Sequence, residues 1–312
     1  MKVGQVMQNN TKLTNFTSSE LLKDGRYQVV RRLGSGYLGE VYLVKNTLMK
    51  KHEALKILYV HAPLNGADSF QDKAKTISAL HHPHILPLLD YGEESINGSV
   101  LPYIVMPYCP DSSLASWLQQ RHNIDTLSLQ DVACILRQVA DALQHAHEHG
   151  IVHQGVKPSN VLTSGERTFT LPDLLLADFV VTPPETLNES RATASTYAYM
   201  APEQWRGAPR PATDQYALAA LLYQILTGNP PFHGTPEELM HQHTSSLPVP
   251  PGTINPVLSQ GIDSVLLRAL AKQSDDRFPT VSAFADAFEQ AIQLIAAPAM
   301  VMPVRDTQSD CQ

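Results

Sequence analysis

The chain has 312 residues, 43% of them apolar, enough to bury one large core or two modest ones without disulfide staples. A formal charge of −7, with Lys and Arg scattered along the chain, excludes a basic surface for nucleic acid or an anionic membrane. Cys109, Cys134 and Cys311 are odd in number and unspaced, which gives neither a disulfide framework nor a zinc site and fits a reducing, cytoplasmic setting.

Residues 1–26 read as a loose, polar lead-in, and the first ten hold no apolar signal region. Organisation begins at Tyr27. Apolar and β-branched residues run from Tyr27 to Val44 as two strands joined by a turn carrying Gly34, Gly36 and Gly39. Such a G-x-G-x-x-G triplet also opens helices in dinucleotide-binding folds, but here Val41, Tyr42, Leu43 and Val44 continue as strand. Either way, its backbone N–H groups are free to approach phosphates. Glu53 to Leu58 alternates as the next strand and carries Lys56; a lone strand lysine is otherwise a solvated edge charge. A helix is expected over Phe70 to Leu80, ending before His81-His82-Pro83-His84-Ile85. Val100 to Cys109 reads as a further strand and its exit.

Helical spacing follows in Leu114 to Gln120 and in Asp131 to His149, where Val132, Ile135, Leu136, Val139, Leu143 and Ala146 recur at three and four and Gly150 closes the helix. His145 and His149, four apart, share a face at a spacing metals use, while His147 is expected to point elsewhere. As a bland alternative, these histidines sit at a helix C-terminus whose dipole favours partial positive charge. Apolar pairs Ile151/Val152 and Val161/Leu162 then bracket a polar loop with His153, Lys157 and Asn160. Leu174 to Val180 reads as a strand ending in Asp178-Phe179, and a carboxylate there needs a positive partner. Val181 to Met200 is a polar segment. Asp214 to Gly228 is apolar nearly all round, as a helix at the centre of a lobe is. The apolar stretch from Ala291 to Val304 is interrupted by Gln293 and Pro298 and falls short of the ~20 residues a membrane span needs. Residues 297–312 read as a loose tail.

In order along the chain, these motifs resemble those of the protein kinase superfamily, closest to the bacterial Ser/Thr kinase type. The loop Ile151 to Leu162 is similar to the catalytic loop His-Arg-Asp-x-Lys-Pro-x-Asn, matching at His153, Lys157, Pro158 and Asn160. The resemblance implies an α+β fold of two lobes: a β-rich N-lobe over residues 27–107 and a mostly helical C-lobe over 108–296. It implies binding of ATP by Leu33, Gly34, Gly36, Gly39, Val41, Ala54, Lys56, Met106, Cys109 and Leu162, with Met106 as gatekeeper, and of Mg²⁺ by Asn160 and Asp178. Taken singly, Leu33, Val41, Ala54 and Leu162 are equally compatible with ordinary core. His153, Phe179 and Ile77 would form a packed spine, Asp214 would hold the loop, and Glu203 would pair with Arg277.

The departures are selective. Gly155 stands where the family has the Asp that accepts the substrate proton, Gln154 replaces the loop Arg, Val180 replaces the motif Gly, and Lys73 falls where a helix Glu pairs the strand Lys. Asp72 lies ~100° away around the helix and is no simple substitute. Gln154 cannot grip a phosphorylated activation segment, and Val180 resists φ > 0. The leading expectation is a pseudokinase that binds Mg-ATP, transfers phosphate poorly or not at all, and acts with a protein partner in signalling or scaffolding. A weakly active Ser/Thr kinase, positioning the hydroxyl through Lys157 and Thr196, and an interaction module with an empty cleft are the alternatives.

Overall fold

The computed structural model describes residues 16, 20–36, 39–59, 70–96, 99–110, 113–121, 127–164, 171–179 and 194–296. The fold is α+β and two-lobed. A six-stranded antiparallel sheet has the order β1-β2-β3-β4-β6-β5, built from β1 (Leu21–Leu22), β2 (Tyr27–Ser35), β3 (Gly39–Asn46), β4 (Lys51–Leu58), β5 (Asp90–Ile96) and β6 (Ser99–Pro107). Order starts earlier than the sequence suggested. Leu22, apolar and buried, draws β1 onto β2 (Leu22 opposite Tyr27), and the Lys23 ammonium binds Asp90 at 2.8 Å, so residues 21–26 are a strand and turn tied to the sheet and not a loose lead-in.

β4 lies in the middle of the sheet, so both its faces are covered. Leu55 and Ile57 pack with Tyr27, Tyr42, Val44 and Tyr103 on the outer side, while Ala54 and Leu58 join the main core on the inner side. That inner face also receives helix α1 (Phe70–Ser78) through Phe70, Ala74 and Ile77. The helix stops two residues short of the expected Leu80. Its last turn tightens, Ala79 N–H bonding Thr76 O and Leu80 N–H bonding Ile77 O, ahead of a His82-Pro83 pair that disfavours helix.

The second lobe is helical: α2 (Leu114–Arg121), α3 (Leu129–Glu148), α4 (Ala194–Tyr197), α5 (Pro211–Thr227), α6 (Pro236–Ser245), α7 (Pro251–Ile254), α8 (Gln260–Ala269) and α9 (Val281–Ala296). A capping box of Ser128 and Asp131 starts α3, whose apolar stripe from Val132 to Ala146 is buried. α5 is buried on nearly every face, begins at Pro211 and ends on Gly228 at φ 87°, a left-handed cap that a residue with a Cβ adopts only under strain. A small hairpin of β7 (Val161–Ser164) and β8 (Asp173–Leu176) lies beside the first lobe. β8 is shorter than expected, because two residues after it Asp178 turns to φ 68° and leaves the extended region. Among the described residues no helix is long and apolar enough to cross a membrane. The tail at 297–312 lies outside the described residues, as do Val180 and residues 181–193 of the polar segment.

Candidate functional site

Three pieces of chain converge on one cleft: the Gly-rich turn between β2 and β3, the loop between α3 and β7, and the exit of β8. Gly34 and Gly36 border open space, and a Cβ built on either meets no atom within 4 Å. Gly39 differs. A Cβ there would collide with the Ile57 carbonyl of β4, so only glycine lets the two strands close at this register.

Lys56, 4% exposed, extends from β4 and bonds Asp178 Oδ1 at 2.6 Å. Burial works against the Asp178 charge, but Lys56 first, then Lys157, outweighs it and holds the carboxyl below the usual range. Lys56 thus finds its carboxylate at the end of β8. On α1, Lys73 is half-buried and Asp72 exposed.

His153 is fully buried and held at both ring nitrogens. The Gly155 N–H donates to Nδ1 at 3.1 Å, so the proton of the neutral ring sits on Nε2, which donates to the Ala177 carbonyl at 2.9 Å. Burial pushes its pKa down, which favours that neutral form. Its ring meets Phe179 edge-on at 4.5 Å, as the expected spine requires, and Ile77 lies in the same apolar cluster as Phe179.

Asp214, fully buried at the start of α5, orients the loop. Oδ2 accepts from His153 N–H at 2.8 Å and Oδ1 from Gln154 N–H at 2.7 Å. A third donor is His147, which points away from the face of His145 and His149 as expected and gives Nε2–H to Asp214 Oδ2 at 2.7 Å. Gln154 takes φ 63°, and its carbonyl accepts from Gln204 Nε2 at 2.8 Å, tying the segment after Ala201-Pro202-Glu203 to the loop. His147 and Gln204 were both missed. His147 falls off the apolar stripe of α3 and gives no periodic signal, and the Gln204 bond links side chain to backbone across fifty residues.

Asn160 Nδ2 bonds the Gly155 carbonyl at 2.8 Å, and Asn160 O accepts from Ala177 N–H at 2.8 Å, which places the amide beside Asp178. The Lys157 ammonium lies 3.4 Å from Thr196 Oγ1. Burial lowers its pKa, opposed by Asp178 and assisted by Lys56. Glu203 and Arg277 form the expected pair, bidentate at 2.7 and 2.9 Å, with Thr213 adding a hydroxyl to Glu203.

A cavity of about 380 Å³ joins these groups. It is lined by Gly34, Gly36, Gly39, Val41, Lys56, Gly155, Lys157, Asn160, Asp178 and Thr196, together with Gln154, Tyr199 and Gln204. Leu33, Ala54, Met106, Cys109 and Leu162 do not line it. They pack with Val41 in the adjoining apolar cluster, where Ala54 stands directly opposite Met106 across β4 and β6. Among the described residues lining the cavity, Asp178 is the only carboxylate, and no group of three His, Cys, Asp or Glu among the described residues could by itself hold a metal ion.

The protein kinase domain family matches residues 27–288. The chain is 33% identical over 273 residues to the serine/threonine-protein kinase PknB of Mycolicibacterium smegmatis, a match covering 86% of this chain and 43% of that protein. It is 36% identical over 271 residues to the serine/threonine-protein kinase PknF of Mycobacterium tuberculosis, covering 84% of this chain and 55% of the relative. The chain therefore spans less than two thirds of these relatives. The crystal structure of the Mycobacterium tuberculosis PknI kinase domain superposes with a TM-score of 0.68 at 32% identity, covering 88% of this chain and 99% of that one.

Proposed function

Because this chain belongs to the protein kinase family, we propose that it works as a pseudokinase: it binds ATP with Mg²⁺ and transfers phosphate poorly or not at all, serving a protein partner in signalling or scaffolding. The observation that carries the reading is the pairing of an assembled nucleotide end with a missing base. Lys56, Asp178 and Asn160 meet in one cavity, while position 155 offers no proton acceptor and the cavity's one described carboxylate is engaged by Lys56.

The residues present fit the nucleotide. The open space at Gly34 and Gly36 leaves room for phosphates against backbone, the Lys56 ammonium supplies positive charge, and Asp178, held ionised, with Asn160 supplies the hard oxygens magnesium prefers. Leu33, Val41, Ala54, Met106, Cys109 and Leu162 would cover a flat purine ring. When bound, Mg-ATP would bring an activated phosphoryl group to the cavity. Lys157 and Thr196 would then position an acceptor hydroxyl, and Gly155 has nothing with which to take its proton. Loss of a general base costs about 10²- to 10⁴-fold in rate. The few, unspaced cysteines support a reducing, cytoplasmic setting for this role.

One observation favours a weakly active kinase as the second reading. The Lys157–Thr196 approach at 3.4 Å keeps the groups that would steer a hydroxyl, and phosphoryl transfer relies chiefly on positioning and electrostatics. Two measurements separate the claims. Mg-ATP should raise the melting temperature of the wild type and not of Lys56→Ala; an equal rise in both counts against binding at this site. Labelled ATP with generic Ser/Thr substrates should give negligible turnover, and rates near the ~1–100 s⁻¹ of ordinary kinases would overturn the pseudokinase reading.

A further inference from the structure

Between α1 and β5, residues 79–89 form a link that touches both lobes. Its backbone is clamped to β8: Leu176 N–H bonds the His84 carbonyl at 2.8 Å, Leu86 N–H bonds the Leu176 carbonyl at 2.9 Å, and Ile85 bridges Leu176. Two residues beyond Leu176 stands Asp178. On its other side the link meets the end of α3 through a set of imidazoles. The His82 ring stacks on His145 at 5.2 Å and lies 5.7 Å from His84, and His145 lies 4.5 Å from His149.

The hydrogen bonds say which protonation state this seam is built for. His84 Nδ1–H donates to the Leu174 carbonyl and His149 Nδ1–H to the His145 carbonyl. His82 Nδ1 accepts from the His84 backbone N–H at 3.2 Å, so it must be unprotonated, and a proton arriving there removes the bond. His145 Nε2 is buried with no hydrogen-bond partner among the described residues. A charged His82 would be desolvated and would face His84 on its own segment and His145 on α3. The acid that acts on it is Asp141 of α3, itself shared with Arg137 at 3.8 Å, while β8 presents the Leu174 carbonyl. The four rings are not arranged as metal ligands, since no such triad exists among the described residues.

We propose that this imidazole seam is a proton-operated latch: neutral, it holds the link against α3 and β8; protonated in mildly acidic conditions, it lets the link lift and loosens the strand that presents Asp178. Burial, then His145 and His84, lowers the His82 pKa, which agrees with this sense. The sign follows. A folded-state pKa below the ordinary 6.5 means the unfolded or opened state binds more protons, so closure is fully favoured above 6.5 and is lost as pH falls toward the folded value.

Hydrogen exchange on the whole chain without nucleotide tests this, independently of whether ATP binds. After correction for intrinsic rates, residues 79–90 should exchange up to about fivefold faster at pH 5.8 than at 7.5, since one linked proton with an open-state pKa at the ordinary 6.5 shifts the equilibrium by up to tenfold per pH unit only below that value. α5 should not respond, and His82→Gln/His145→Gln should abolish the difference. The absence of a rise in the wild type, the same rise in the double variant, or a uniform rise reaching α5, as acid loss of buried His153 or His243 would give, overturns the proposal. Should the double variant not fold, imidazole titration of the wild type by NMR decides: a His82 titrating below the ordinary 6.5 supports the latch, and His82 titrating at or above 6.5 overturns it.

Discussion

Restoring the base is the sharpest perturbation the site allows. At Gly155 a Cβ would lie 3.5 Å from Asn160 Nδ2 and 3.7 Å from the His153 ring, ordinary contacts, and the residue is not in the left-handed region. Gly155→Asp should therefore fold with a stability change within about 1 kcal/mol, its carboxylate entering the cavity that Lys157 lines. A positioned general base is worth about 10²- to 10⁴-fold, or about 2.7 to 5.5 kcal/mol of barrier at 1.36 kcal/mol per decade. That gain needs phosphates held in line. Lys73, half-buried four residues before buried Ile77 on α1, holds the position where the family carries an anion to pair the strand Lys. Gly155→Asp or Lys73→Glu alone should change single-turnover transfer from labelled ATP by less than about tenfold, and the pair should raise it by the full general-base factor. If Gly155→Asp alone delivers the whole gain, Lys73 does not keep the phosphates out of line. If the pair folds, binds Mg-ATP and gains nothing, the missing base is not what limits this protein.

Three further outcomes rest on the same geometry. Asp214→Asn must turn a donor toward one of three N–H groups, losing at least one charge-assisted bond; urea unfolding should show a loss of about 1.5–3 kcal/mol, and a loss under 0.5 kcal/mol would contradict the role given to that carboxylate. Arg277→Met strands Glu203 in the core and should cost about 3–5 kcal/mol. Burial raises the Glu203 pKa but Arg277 overrides it and holds it low, so its contribution is present above the ordinary glutamate range and is lost as pH falls through the folded value; acid unfolding of the variant should lack that dependence. Gly39→Ala, driving a methyl into the Ile57 carbonyl, should lower the melting temperature by several degrees, whereas Gly36→Ala should leave it unchanged and weaken only the Mg-ATP shift. Equal effects on stability would remove the distinction drawn between these glycines.

What could be read from residues alone was whatever leaves a periodic or composition signal. The stripe of α3, the all-round apolar α5 and the strand alternation around Lys56 each dictate an element, and the loop from Ile151 carries its residue types at fixed spacing. The Lys56–Asp178 contact followed from asking what could neutralise a carboxylate at a strand end. Hidden were bonds in which one partner is backbone. His147 on Asp214, Gln204 on the Gln154 carbonyl and the shortening of β8 at Asp178 depend on where main-chain groups lie after folding. The early start of the sheet at Leu21 was masked by its polar neighbours, since a two-residue strand is too short to show alternation.

Gln154 and Asp178, on either side of the cavity, both hold a left-handed backbone, which costs an L-residue of order 1–2 kcal/mol. The Asp214 bond to one and the Lys56 bond to the other hold them there. A receptor whose strain has been settled during folding has little freedom left to surrender when its ligand arrives. If the pseudokinase proposal holds, occupancy of such a cleft would track the surrounding nucleotide concentration with little ordering toll, and that level could be passed to a bound protein without any chemistry.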